Sequence, residues 1–164
     1  MEIAITGLQL ADSETKDTPF GPVAVGTASV AGRAVGLFGR ESDPRARTYA
    51  AKELGATRII GLFNGVALNR LLRPGDCLVP DDLIDQTRGG PTTFFVNRGL
   101  GYVQMTPPFC PATRSALVGA VSNRDARDFN LGTAIACPPR PITPAEAKAW
   151  HALGGDVAVW GLAP

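Results

Sequence analysis

The chain of 164 residues carries 16 basic and 15 acidic side chains, so no charge surplus marks it as a nucleic-acid surface. An apolar share of 45% against 19% charged residues indicates a globular protein with a real core, and no apolar run reaches the ~18–20 residues of a membrane span. Cys77, Cys110 and Cys137 lack metal-ligand spacing and read as reduced thiols, and the first residues open as a strand without a basic leader, which together point to the cytoplasm.

One domain over 1–164 is expected. Glu2 to Leu8 reads as a first strand, followed by a polar loop through Asp12, Glu14 and Asp17 and a turn at Thr18-Pro19-Phe20-Gly21. Val23 to Val30 and Ala34 to Phe38 form a predicted hairpin about Gly32-Arg33. Asp43-Pro44 starts a helix, with Asp as N-cap and Pro at the first helical position. Ala46, Tyr49, Ala50 and Leu54 share its apolar face, and Gly55 ends it. Ile59 to Phe63 has the length and β-branching of a buried strand, broken by Asn64-Gly65. Pro74-Gly75-Asp76 then turns the chain into a short strand, Cys77 to Val79, and Gln86 to Gly101 is a long glycine-containing loop. Pro111 opens a second helix with Leu117, Ala120 and Val121 inward, and Phe129 to Cys137 is a strand. Thr143-Pro144-Ala145-Glu146 has the form of a capping box, so a third helix runs to Leu153, and Asp156 to Trp160 is a last strand.

The order Ala56-Thr57-Arg58-Ile59-Ile60, a Gly-containing loop, Arg73-Pro74-Gly75-Asp76 and Val79-Pro80-Asp81-Asp82-Leu83-Ile84-Asp85 resembles the purine nucleoside phosphorylases. Within that family it is most similar to the methylthioadenosine phosphorylases. Thr93-Phe94-Phe95, Pro108-Phe109-Cys110, Arg140, Thr143-Pro144-Ala145-Glu146 and Leu153-Gly154-Gly155-Asp156-Val157 follow in the same order. The resemblance implies an α/β fold, a nucleoside phosphorylase-like mixed β-sheet flanked by helices and C-terminally truncated, and a homo-trimer. The family's later strand and helices, with the Asp that meets the purine, have no counterpart here.

The resemblance also locates the ancestral site, and there the polar residues differ. Thr6-Gly7-Leu8 retains a trace of the family's phosphate-binding turn. The family's Arg-His-Gly becomes Arg40-Glu41-Ser42, which keeps a cation and adds a carboxylate that repels a phosphate dianion. The family's small or hydroxyl-bearing residue, Ala and Gly-Ser-Leu become Phe63, Asn64 and Val66-Ala67-Leu68. On the base side, Pro138-Pro139-Arg140-Pro141-Ile142-Thr143 replaces the aromatic and the Glu of the family's motif. Trp160-Gly161 stands where the sugar-binding Met-Thr is found, and Tyr102 stands where the family's His reaches a neighbouring subunit.

A pocket for a different small molecule is therefore expected, lined by Phe63, Asn64, Val66, Tyr102, Arg140, Thr143 and Trp160, with Arg40 at its edge. Glu41 and Asp43 are the candidate acid or base, for lyase, hydrolase or cyclisation chemistry in secondary metabolism. The plain alternative for Glu41, Asp43 and Arg45 is a solvated helix N-terminus. His151 is expected on the surface, Trp150 and Trp160 in the core, and Asp81, Asp82 and Asp85 in caps and turns. No cofactor or metal is expected. Two rival functions remain: an active methylthioadenosine or purine nucleoside phosphorylase, if Thr6, Arg40 and Asn64 rebuild a phosphate site, and a non-catalytic subunit of a longer homologue.

Overall fold

The computed structural model describes residues 1–40, 43–87, 89, 93–95, 99, 104–122 and 127–162, so Glu41, Tyr102 and most of the expected 86–101 loop lie outside the described residues. The chain divides into two compact units, the first comprising Met1–Phe63, Pro91–Val96 and Gly161–Ala163 and the second most of the remainder.

In the first unit, β1 (Ile3–Leu8), β2 (Glu14–Lys16), β3 (Val23–Val30), β4 (Arg33–Gly39) and β5 (Arg58–Gly61) form a mixed sheet in the order β2-β3-β4-β1-β5. The β3–β4 hairpin turns at Ala31-Gly32, with φ of 49° and 74°, the left-handed pair that matches strand twist. Helix α1 (Pro44–Glu53) is capped by Asp43 and ends before Gly55 at φ 81°. It presents Ala46, Ala50 and Ala51, all buried, to Ala4, Val23 and Phe38 of the sheet. Small side chains on the helix let it lie close to the strands, while Tyr49 and Leu54 of the expected face are half-buried.

Two expectations change here. The loop through Glu14 contains a short strand, β2, which pairs with β3. The supposed buried strand at 59–63 is instead an edge strand among the described residues: β5 pairs there only with β1, and Ile59 is 44% exposed.

In the second unit, β6 (Gly65–Ala67), β8 (Asp82–Asp85), β10 (Thr133–Cys137) and β11 (Val157–Trp160) make a sheet in the order β6-β11-β10-β8, and β7 (Cys77–Leu78) pairs with β9 (Asp128–Phe129). Strand β10 lies between parallel neighbours and is buried from Ala134 to Cys137, the continuous apolar run of a covered strand. Helix α3 (Pro144–Ala152) lays Trp150 against Ile135, Cys137 and Ala158. Its N-terminus is the expected capping box: Thr143 Oγ1 accepts from Glu146 N, and Glu146 accepts from Thr143 N at 2.8 Å.

The predicted 129–137 strand is split at Gly132, whose φ of 155° and close neighbours Leu78 and Asp156 leave no room for a Cβ. Helix α2 (Pro111–Val121) buries none of its residues, so Leu117, Ala120 and Val121 are not core. Trp160 is likewise not core, being 42% exposed.

Candidate functional site

In the first unit the turn after β1 is built around Gly7. A bulge shifts the β1–β4 register between Thr6 and Leu8, and Gly7 takes φ 92°. The Phe63 ring covers this turn. Its carbons lie 2.7 and 2.8 Å from the place a Cβ on Gly7 would occupy and 2.4 Å from that on Gly61. The same ring reaches within 3.6 Å of the Cβ position of Gly161. Three glycines thus make a seat for one phenyl ring, on ground that the sequence resemblance assigns to phosphate. Beside it, Thr6 Oγ1 is buried with no hydrogen-bond partner among the described residues.

Asp43 caps α1 by accepting from Arg45 N at 2.8 Å, and its carboxylate also receives Arg45 Nε at 3.3 Å and Nη2 at 2.9 Å. The Arg45 hydrogen bonds hold the Asp43 carboxyl below its usual range against a smaller opposing effect of burial. Arg45 in turn stacks over the Phe20 ring at 4.9 Å. Arg40 is exposed, and its carbonyl accepts from Arg47 Nη1 at 2.8 Å.

Arg47 escaped the sequence reasoning. It is 5% exposed and donates its second terminal nitrogen to the Gly161 carbonyl at 3.0 Å. Burial pulls its pKa down, opposed by the charge of Asp43. The only advance signal was an arginine at 47 one position from Ala46, on the helix face already assigned to the core.

In the second unit the parallel strands β8, β10 and β11 end together at Asp85, Cys137 and Trp160, the end of a parallel sheet where ligand groups gather. Val66 is paired opposite Ala158, so it shares a sheet face with Ala158 and Trp160. Burial pushes the Cys137 thiol's pKa up, and its sulfur donates to the Val159 carbonyl at 3.4 Å. Arg140 and Thr143 converge on one carboxylate. Glu146 accepts from Arg140 at 2.5 and 3.1 Å and from Thr143 Oγ1 at 3.1 Å, and the Arg140 bonds lower its pKa to about 2. Both expected ligands of the base side are therefore committed to the start of α3. Asn64 is exposed just before β6.

The structure thus gathers Arg40, Asp43 and Phe63 in one unit and Asn64, Val66, Arg140, Thr143 and Trp160 in the other. Asp81, Asp82 and Asp85 make the expected turn bonds, to the amides of Gly132, Leu83 and Thr87. His151 is exposed, with Nδ1 at 3.2 Å from the Gly155 carbonyl. Among the described residues no cluster of three or more His, Cys, Asp or Glu forms a metal site, and no helix is long and apolar enough to cross a membrane.

A family model described as "Phosphorylase superfamily" matches residues 9–158. The chain belongs to the phosphorylase superfamily. It is 33% identical over 160 residues to an S-methyl-5'-thioadenosine phosphorylase of Thermofilum pendens, covering 90% of this chain and 61% of that protein. It is 32% identical to a 6-oxopurine nucleoside phosphorylase of Pyrococcus furiosus, covering 88% and 61%. The chain therefore spans about three-fifths of the length of these phosphorylase relatives. A crystal structure of a substituted adenosine/methylthioadenosine phosphorylase in apo form superposes with a TM-score of 0.85 at 25% identity, over 97% of this chain and 71% of that one. A methylthioadenosine phosphorylase from Schistosoma mansoni in complex with adenine gives 0.81 at 24% identity, covering 97% and 73%, a likeness of fold.

Proposed function

We propose that this phosphorylase-superfamily chain has left phosphorolysis and binds or transforms a different small molecule, in secondary metabolism. The observation that carries this reading is the Phe63 ring seated on Gly7, Gly61 and Gly161. A phenyl ring there supplies neither hydrogen-bond donor nor charge, and it takes the space beside the β1 turn that an oxyanion needs. Pro141 and Ile142, where the resemblance places an aromatic and a Glu, support the same view on the purine side.

If the protein is an enzyme, Glu41 is the proton donor or acceptor and Arg40 orients an anionic group. Asp43, held ionised by Arg45, acts as helix cap and as a negative charge that sets the field around them. Lyase, hydrolase or cyclisation chemistry suits such a set, since none needs phosphate. The exposed Ile59 and Leu62 on and beside edge strand β5 support self-association, as the homo-trimer of the resemblance implies. Three free thiols suit a reducing compartment, and we place the protein in the cytoplasm.

One observation favours the rival reading of an active phosphorylase. The buried hydroxyl of Thr6 has no partner among the described residues, as would be expected of a phosphate-binding hydroxyl without its anion. The two readings separate in one experiment, isothermal calorimetry with inorganic phosphate beside an assay of adenine release from methylthioadenosine. The proposal expects no phosphate binding at about 1 mM and no phosphate-dependent release. A sub-millimolar dissociation constant with turnover restores the phosphorylase.

A further inference from the structure

At the opposite end of the second unit's sheet from Cys137 and Trp160, a cavity of about 530 Å³ opens between α2 and the residues that lead into β8 and β10. That volume is in the range of small-molecule sites. Its lining includes Asp81, Phe109, Arg114, Ser115, Asn130 and Leu131. The five residues of β10 separate it from the strands' C-terminal ends by roughly 13 Å, so it is a separate place from the site discussed above.

Two opposite charges line this cavity, and neither is paired among the described residues. Arg114 spends its donors on uncharged acceptors: Nε donates to the Pro80 carbonyl at 2.9 Å, and Nη2 to the carbonyls of Val79, at 3.3 Å, and Asn130. Its Nη1 makes no bond among the described residues. Asp81 receives Gly132 N on Oδ1 at 2.7 Å and has its own N–H on the Gly132 carbonyl at 3.1 Å, which leaves Oδ2 without a partner among the described residues. Among the described residues neither side chain forms an ion pair. The same bonds fix both side chains to backbone, so their positions are set before anything binds. Phe109 and the 67% exposed Leu131 add apolar wall, and the Ser115 hydroxyl and Asn130 amide add neutral donors and acceptors.

A ligand complementary to this lining carries a carboxylate for Arg114, an ammonium for Asp81 and an apolar group for Phe109 and Leu131. We propose that the cavity is a binding site for a free α-amino acid with an apolar side chain. A simple anion leaves Asp81 uncompensated and a simple amine leaves Arg114 so, whereas the zwitterion answers both within one small molecule.

The test is an NMR titration of the full chain with L-phenylalanine, N-acetyl-L-phenylalanine and L-phenylalaninamide, following the amides of Ser115 and Leu131 against that of Gly61 as a distant control. The zwitterion should shift the first two signals with a dissociation constant of about 1 mM or tighter, and each blocked form should bind about tenfold more weakly. Asp81→Asn keeps an acceptor for Gly132 and should cost about tenfold in affinity. Ser115→Phe, at an exposed helix position, should fill the cavity and abolish the shifts while circular dichroism stays unchanged. Equal binding by all three compounds, no saturable shift up to about 20 mM, or unchanged binding by the folded Ser115→Phe protein would each overturn the proposal.

Discussion

Replacing Phe63 by alanine probes both the fold of the first unit and the functional proposal. The ring lies against the Cα atoms of Gly7 and Gly61, where no side chain can fill the gap it leaves. A fully buried Phe→Ala change costs about 3–5 kcal/mol, and Phe63 is only half-buried, so a loss of roughly 2 kcal/mol follows. For a chain of this size that is a drop of about 4–8 °C in Tm, measurable by circular dichroism or calorimetry. The same change uncovers the Gly7 bulge and the unpartnered Thr6 hydroxyl. Phosphate affinity should therefore rise by about tenfold or more over the parent protein, read by calorimetry. An unchanged Tm would mean that the ring does not support the turn. Equal phosphate binding by parent and variant would remove Phe63 as the reason for divergence.

Glu146 has its pKa lowered from 4.5 to about 2, so its contribution to stability is complete above pH 4.5 and fades as pH falls through that interval. Glu146→Gln should flatten the Tm profile between those values, and the parent and variant curves should converge below pH 2. Gly7→Ala places a Cβ 2.1 Å from the Leu62 carbonyl at φ 92°, and a loss of about 3 kcal/mol or more is expected in urea unfolding. Asp43→Ala removes the cap and the Arg45 bonds, and should cost about 1 kcal/mol by the same measurement. Light scattering at micromolar concentration should give a mass above that of one 17.1 kDa chain.

Local chemistry made much of this fold legible. The β3–β4 hairpin, the Asp43-Pro44 start and the Thr143–Glu146 capping box each depend on residues within a few positions of one another. The helix start and the capping box formed at the expected place, and the hairpin turn lies one residue earlier, at Ala31-Gly32. Elements made by distant pairing were not legible. Gly65–Ala67 is a strand only because β11 lies alongside, and a Gly-Val-Ala tripeptide after Asn64 carries no strand signal of its own. The apolar run at 59–63 looked like a covered strand because composition reports hydrophobicity, not which neighbours arrive to cover it. At the candidate site the differences from the family's motifs could be read residue by residue. What Arg140 does could not, because its partner Glu146 is recognisable as a cap but not as an ion-pair acceptor.

The two carbonyls held by Arg47 stand 121 positions apart in the chain, at 40 and 161. During synthesis the helix bearing this arginine emerges long before Gly161 does, with the guanidinium facing a protein interior that still lacks one of its two acceptors. The first unit can assemble its sheet early but cannot finish that contact until the whole second unit has left the ribosome. The first unit is thus begun first and completed last, when Gly161 reaches Arg47 and the Phe63 ring.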